Sequence, residues 1–475
     1  MTELIEIPNY IEGSFEKTEK KKILTDLTGK PIAELYGATD SLIRKAKRAL
    51  VKNSEEIGKI GIPTIIEVLK RSMDYYYDKD IDFKTTALLA GSPISFVRQE
   101  IDSLKTWCKN IDEYLYSCFG CIDYTLTEIK KNGKLIGYRK FVPNGPITAI
   151  LPKNDDGLPL YVLTQLILSR NTAIVKPSSE GASSFATIKF IEALNKSIDY
   201  YGPEEQKLKN AIQVVNILEE RENKIRSTAN LVVTGGQVII FGTENTARAL
   251  SAEISNDTKI NKIIKMGTGF SISIVLNDAD VNHAATEIVH SSTQDKGNKC
   301  TTTNVVYVEG SVYPALIKKL RETEKAFKHG ELLAAETRLG LISEEEKKQI
   351  IGRIKELYGH TSIGAIPNYI EFKIHEIESH DPVEEMPAPV IFLKKLNTEE
   401  DIIKQTLTDI RRNELEKNLV TSIYTKNFEK FEKLTSVIPS HTFKLNKSSE
   451  KINFLLEHQG QFLIQELLDK KILEV

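Results

Sequence analysis

The chain is poor in cysteine, with four residues among 475, and holds a single tryptophan. Four cysteines are too few for a disulfide framework at this length and suit a reducing cytosol. Net charge is nearly absent too: 64 Lys plus Arg against 66 Asp plus Glu leave −2. That balance gives no polycationic field to attract nucleic acid or an anionic membrane surface. Long apolar runs are missing; windows such as Tyr161–Leu168 stop well short of the ~18 residues a spanning helix needs. The amino terminus is acidic where an export signal is basic, and no continuous apolar segment follows. The expectation is a soluble, cytoplasmic protein with no nucleic-acid or membrane partner. Cys118-Phe-Gly-Cys121 lacks the second pair or histidine of a zinc site, so no metal is expected. No G-x-G-x-x-G follows a strand, so the ordinary dinucleotide fingerprint is missing as well.

What is present is an alternation of elements. Apolar residues between Asp40 and Lys84 recur at helical spacing, with a break at Gly61-Ile62-Pro63, and helix continues to about Phe119. Residues 123 to 140 alternate around Asn132-Gly133, the signal of a hairpin. Short apolar strands then alternate with helices. The strands are 147–151, 172–175, 213–217, 231–233 and 238–241, and the helices include 158–169, 182–194 and 243–255. A second series follows, with strands 272–275 and 305–308 and helices 281–292 and 312–329. Residues 333–342 and 397–417 look like solvated helices and loops. Apolar strands alternating with helices predict α/β architecture, with open parallel sheets covered on both faces and ligands at the carboxyl ends of the strands.

One cysteine stands apart from the others. Gln294-Asp-Lys-Gly-Asn-Lys-Cys300 places it in a polar loop just before a strand, with Lys296 and Lys299 nearby to favour a thiolate. The residues alone leave two readings, a nucleophile or an idle loop cysteine. Cys108, Cys118 and Cys121 lie among Trp107, Tyr114, Tyr116 and Phe119 and are expected in the core. A helix opening at Gly242-Thr243 after the strand ending at Phe241 offers backbone N–H groups to a phosphate.

The order of these pieces resembles the aldehyde dehydrogenase superfamily. The resemblance runs from about residue 10 to 430 through Tyr10-Ile-Glu-Gly13, Thr28-Gly-Lys-Pro-Ile-Ala33, Pro143 to Asn154, Arg170-Asn-Thr-Ala-Ile-Val-Lys-Pro-Ser178, Phe241-Gly-Thr-Glu244, the Cys300 loop, Glu384-Glu-Met-Pro-Ala-Pro-Val390 and Leu419 to Asn427. It implies two lobes, a Rossmann-like cofactor domain from residues 1–122 and 141–258 and a catalytic domain from 259–439. A small oligomerisation hairpin and tail, 123–140 and 440–475, would join copies as a homodimer or homotetramer. It implies Cys300 as nucleophile and Asn154 as the side-chain donor to the oxyanion. NAD or NADP would be held by Lys176, Ser178, Ser179, Gly242, Thr243, Gly267 and Glu385. Ser179 stands where a ribose-gripping glutamate is frequent, which admits the 2'-phosphate of NADP(H), although Glu180 follows directly.

The departures from the family pattern redirect the chemistry. Lys265-Met-Gly-Thr-Gly269 replaces the glutamate that activates the deacylating water, and a lysine, cationic at neutral pH, cannot serve as that base. The late glycine-rich segment of the family is not recognisable between Asn446 and Gly460. The resemblance therefore leans toward the acylating members, the acyl-CoA reductases that include the fatty acid reductase of bacterial luminescence, with coenzyme A as co-substrate or product. Two other readings stand beside it. One is a hydrolytic aldehyde dehydrogenase in which Glu384 or His290 activates water; the other is a non-catalytic family member that serves as an assembly subunit.

Overall fold

The computed structural model describes residues 4–474, apart from 81–82, 154–156, 220, 243, 258–259, 268, 328–329, 360–362, 364–365, 452, 454 and 458–459. The helix Asp40–Gly58 starts where the Thr39 hydroxyl accepts the Leu42 N–H at 3.3 Å. The helix after it, Ile62–Tyr75, carries Pro63 in its first turn, where a missing N–H costs no intrahelical bond. The predicted break between them is thus real. The predicted hairpin is also present, as strands Leu126–Lys131 and Lys134–Pro143. Asn132 and Gly133 turn it with φ of 48° and 78°, the left-handed pair a two-residue hairpin turn needs. Strand Leu468–Glu474 adds to it antiparallel, making a three-stranded sheet.

Two larger sheets carry the rest. In the first, the strands run in the order Lys262–Met266, Gln237–Phe241, Ile147–Ile150, Ala173–Lys176, Ile212–Val214, Asn9–Ile11 and Ser14–Glu16, the first five of them parallel. Chain order reverses beside Ile147–Ile150, so a crevice opens between its carboxyl end and that of Gln237–Phe241. The second sheet is parallel throughout, in the order Lys373–Ile377, Val390–Leu396, Thr303–Glu309, Ser271–Val275, Asn418–Tyr424 and Ser440–Leu445.

Alternation along the strands builds the cores. Ile147, Ala149, Val175 and Ile239 face helices 62–75, 94–109, 158–168 and 183–198, while Ile150, Val238 and Ile240 face Ala247, Leu250 and Ile254 on the other side. In the second sheet Ile272, Ile274, Val305 and Tyr307 point one way, and Val275, Val306 and Val308 the other. Burial on both faces is why these strands read as unbroken apolar runs. Among the described residues, no helix is long and apolar enough to cross a membrane.

Three details differ from the expectations. Residues 231–233 form no strand, because the N–H groups of Leu231 and Val232 donate to Thr228 and Ala229 and close the preceding helix. Lys262–Met266 is the edge strand of the first sheet, so the chain crosses to the second sheet at residues 267–270 and not after 258. Ser440–Leu445 pairs with the second sheet, and only the strand from Leu468 joins the hairpin.

The second sheet is braced by a buried charge pair. Lys394 Nζ lies 2.8 Å from Asp409, both side chains fully buried, and Tyr307 donates to the same carboxylate at 2.9 Å. Backbone carbonyls of Ser379 and Asp381 take the remaining ammonium protons. Removing one partner strands a charge in low dielectric, so Asp409→Ala is expected to cost about 3–5 kcal/mol, read by urea unfolding. Lys394→Met combined with Asp409→Leu is expected to recover much of that loss, since the two charges vanish together.

Candidate active site

The carboxyl edge of the first sheet meets the amino edge of the second, and the residues singled out above lie along that seam. Gly242 follows Phe241, and its N–H donates to Met266 O at 3.3 Å. Gly267 follows Met266, with its Cβ direction toward Gly242 O at 4.0 Å. Two residues on, the Gly269 N–H donates to Glu385 Oε1 at 3.2 Å. A Cβ at Gly269 would overlap the Cys300 carbonyl oxygen and the Leu419 side chain, so only glycine lets the crossover pass that close to the cysteine loop. Gly242, Gly267, Glu385 and Cys300 thus come together. Asn154 and Thr243 lie outside the described residues.

The loop that presents Cys300 is held from several sides. Asp295, Lys296 and Gly297 are consecutively left-handed, with φ of 42°, 62° and 71°, an arrangement that surrounding contacts must enforce for the first two. Ser92 Oγ donates to Asp295 at 2.9 Å, and Lys296 Nζ donates to Ala90 O at 2.8 Å. A side chain on Gly297 would collide with Ala388 and Pro389. Asn304, one turn of chain later, fixes that same segment by accepting the Met386 N–H at 3.0 Å and donating to Val390 O at 3.2 Å. Glu385 is thereby aimed back at the crossover. None of these partners is legible from sequence, because each joins segments far apart in the chain.

Cys300 is half-buried, and Ser271 Oγ donates to its carbonyl at 3.2 Å. The other thiols are set differently. Burial pushes Cys108 and Cys118 up to about 12, and it also raises Cys121, so they stay protonated. Cys108 and Cys118 take their expected place in the core, whereas Cys121, beyond the end of helix Ile111–Phe119, is only half-buried against it.

Lys176 ends the strand beside the crevice and is 5% exposed. Burial, and after it the charge of Lys224, pushes its ammonium down to about 8, with Glu180 opposing. Among the described residues that ammonium has no hydrogen bond or ion pair. Ser178 and Ser179 are buried next to it, and Ser178 Oγ accepts the Glu180 N–H at 3.2 Å. Glu180 itself faces Lys153 at 3.6 Å and Lys224 at 3.9 Å, so its charge is offset. Lys224 is a second cation here that the sequence reading passed over, since nothing in its helix marks it.

The two candidate water-activating groups both have close polar neighbours. Glu384 receives two hydrogen bonds at 2.6 Å from Arg353. His290 lies between Gln294, at 3.0 Å, and Glu450, at 3.4 Å. Lys265 is exposed on the edge strand.

Residues 14–460 match the model of the aldehyde dehydrogenase family. A lactaldehyde dehydrogenase of Methanococcus maripaludis is 25% identical over 355 residues, covering 73% of this chain and 71% of that protein. The salicylaldehyde dehydrogenase of Pseudomonas putida, solved with salicylaldehyde, aligns over 99% of this chain and 98% of its own, with a TM-score of 0.82 and 15% identity. An NADP-dependent glyceraldehyde-3-phosphate dehydrogenase of Bacillus halodurans, solved with NADP, covers 98% of each chain with a TM-score of 0.79 and 18% identity. At those identities the structural likenesses show the shared fold.

The contact at Gly269 yields a test. Gly269→Ala forces the crossover away from Cys300 O, so the variant is expected to lose about 1–3 kcal/mol of stability. Its Cys300 is expected to react with iodoacetamide at a clearly different rate, measured by mass spectrometry of the labelled peptide.

Proposed function

Because this chain belongs to the aldehyde dehydrogenase family of NAD(P)-dependent oxidoreductases, we propose that it is an acyl-thioester reductase, reversible as a CoA-acylating aldehyde dehydrogenase, with Cys300 as nucleophile. The observation that carries this reading is the state of the three groups considered as a deacylating base. Lysine stands at position 265, Glu384 is held by two bonds from Arg353, and His290 is held between Gln294 and Glu450. A thioacyl enzyme without activated water persists until a thiol or a hydride resolves it.

In the reducing direction the Cys300 thiolate adds to the thioester carbonyl. The tetrahedral adduct expels the carrier thiolate, leaving an acyl-enzyme. Reduced nicotinamide, when bound, would supply a hydride, and the thioester carbon held on Cys300 would accept it to become a thiohemiacetal. The negative charge that develops on oxygen needs aimed donors, and the assignment gives that role to the Cys300 N–H and the Asn154 amide. Collapse returns the cysteine thiolate and frees the aldehyde. Dinucleotide would lie along Gly242, Thr243 and Gly267, with Glu385 toward the nicotinamide ribose and Lys176, Ser178 and Ser179 toward the adenosine ribose. The unpaired, buried Lys176 with Lys224 beside it favours NADP(H) over NAD(H). The hairpin sheet, with Leu126, Leu135, Ile136, Ile472 and Leu473 exposed, suits a homo-oligomer.

Two outcomes test the proposal. Aldehyde-dependent formation of NAD(P)H is expected to require coenzyme A, and equal rates without it would support hydrolysis instead. Affinity for NADPH is expected to fall as pH rises through about 8, where Lys176 loses the proton that attracts the 2'-phosphate. Affinity for NADH should change far less over that range. Fluorescence titrations between about pH 6.5 and 9.5 read both, and in Lys176→Met the difference in slope should disappear.

A further inference from the structure

The loop Asn446–Lys451 follows the edge strand of the second sheet and reaches both flanks of Cys300. On the carboxyl side, the fully buried Ser449 hydroxyl donates to Thr301 O at 2.6 Å. The same hydroxyl shares hydrogen bonds with those of Ser291 and of Thr303, the latter at 2.9 Å. Ser291 Oγ in turn accepts the Thr303 N–H at 3.0 Å. On the amino side, Glu450 faces Lys299 at 3.6 Å, and Lys299 also pairs with Glu100 and lies 4.7 Å from the centre of the Phe96 ring. The side chains of Lys299, Glu100 and Glu450 are 8%, 10% and 12% exposed, so salt screens this triad little. Burial would raise the Glu450 carboxyl, but His290 at 3.4 Å and the Lys299 charge outweigh it and hold the group at about 2.

The loop is itself fastened. Lys444 Nζ donates to Ser449 O and Lys451 O at 2.7 Å each, and Glu287 accepts the Ser448 N–H at 2.7 Å. Helix Ile94–Lys109, which supplies Glu100, packs in turn on the residue that follows the Asn154 segment. A side chain on Gly157 would lie 2.7 Å from Leu104 Cδ1 and 2.9 Å from Glu100 Cγ.

We propose that Ser449 and Glu450 are positioning residues for the nucleophile: Ser449 fixes the peptide after Cys300 through Thr301 O, and Glu450 fixes the residue before it through Lys299. The inference rests on the reading of Cys300 as the nucleophile. Its physical content is that the Cys300 N–H and Sγ take their direction from a peptide held at both neighbours, and reaction geometry tolerates little error. Lys299, committed to two carboxylates, serves as an anchor and is not left to bind an anionic substrate.

The test uses the full chain with Ser449→Ala, Glu450→Gln, Glu450→Asp and Cys300→Ser. Turnover is followed in whichever direction the parent supports, together with the alkylation rate of Cys300 and thermal unfolding. Ser449→Ala and Glu450→Gln are expected to lose roughly tenfold or more in kcat and to alter the alkylation rate, with KM for the dinucleotide unchanged. Glu450→Asp, which keeps the charge, should recover more kcat than Glu450→Gln. Parental kcat and alkylation in the folded variants would overturn the inference, as would losses that follow Tm alone. Should Ser449→Ala not fold, the Glu450 pair decides by itself. Retained turnover in Cys300→Ser would instead overturn the nucleophile reading, so the two failures are distinguishable.

Discussion

The close passage of Gly269 under the Cys300 carbonyl is the constraint on which the site depends. It forces the carboxyl edge of one parallel sheet against the amino edge of another, at a spacing no side chain permits. Gly242 and Gly267 come from strand ends of the first sheet, whereas Gly269, Cys300 and Glu385 precede strand starts of the second. The hydrogen bond from the Gly269 N–H to the Glu385 side chain ties the crossover to the segment that leads into strand Val390–Leu396.

The ordinary rule for open α/β sheets holds for only one of the two. The first sheet keeps its crevice at the carboxyl ends, beside the reversal of chain order. At the corresponding place in the second sheet, Asp278 accepts hydrogen bonds from Thr425 Oγ1 at 2.8 Å and from the Lys426 N–H at 3.0 Å. The protein's own carboxylate thus takes up the donors at that place, and the residues assigned to the chemistry lie at the opposite edge.

How much of this was legible in the sequence varies with the range of the interaction. The hairpin, the helix break before Pro63 and the strands 147–150, 173–176 and 238–241 follow from local rules and apolar runs. Cys300 stood out because its polar loop precedes a strand. Strand Lys262–Met266 escaped notice because, at a sheet edge, Lys262 and Lys265 are exposed and interrupt the apolar pattern. The Glu100–Lys299–Glu450 triad, the hold of Asn304 on residues 386–390 and the second cation at Lys224 were invisible, since each depends on segments that only the completed fold brings together. Residues 231–233 show the converse, an apolar run whose N–H groups had already been taken by a helix end.

The proposed acylating chemistry turns on single groups in a shared fold. Under the proposed function Lys265, the Arg353-bound Glu384 and His290, which lies between Gln294 and Glu450, do not activate water, and the acyl-enzyme waits for a thiol or a hydride. The lifetime of that acyl-enzyme is the most direct test. The protein is incubated with an acyl-CoA and no nicotinamide, freed of excess substrate, and the mass of the Cys300 peptide is followed with time, with and without added coenzyme A. The account predicts a thioester on Cys300 that persists in buffer and is discharged when coenzyme A is added. Rapid loss of the acyl group in buffer alone, or acylation at another residue, would contradict it.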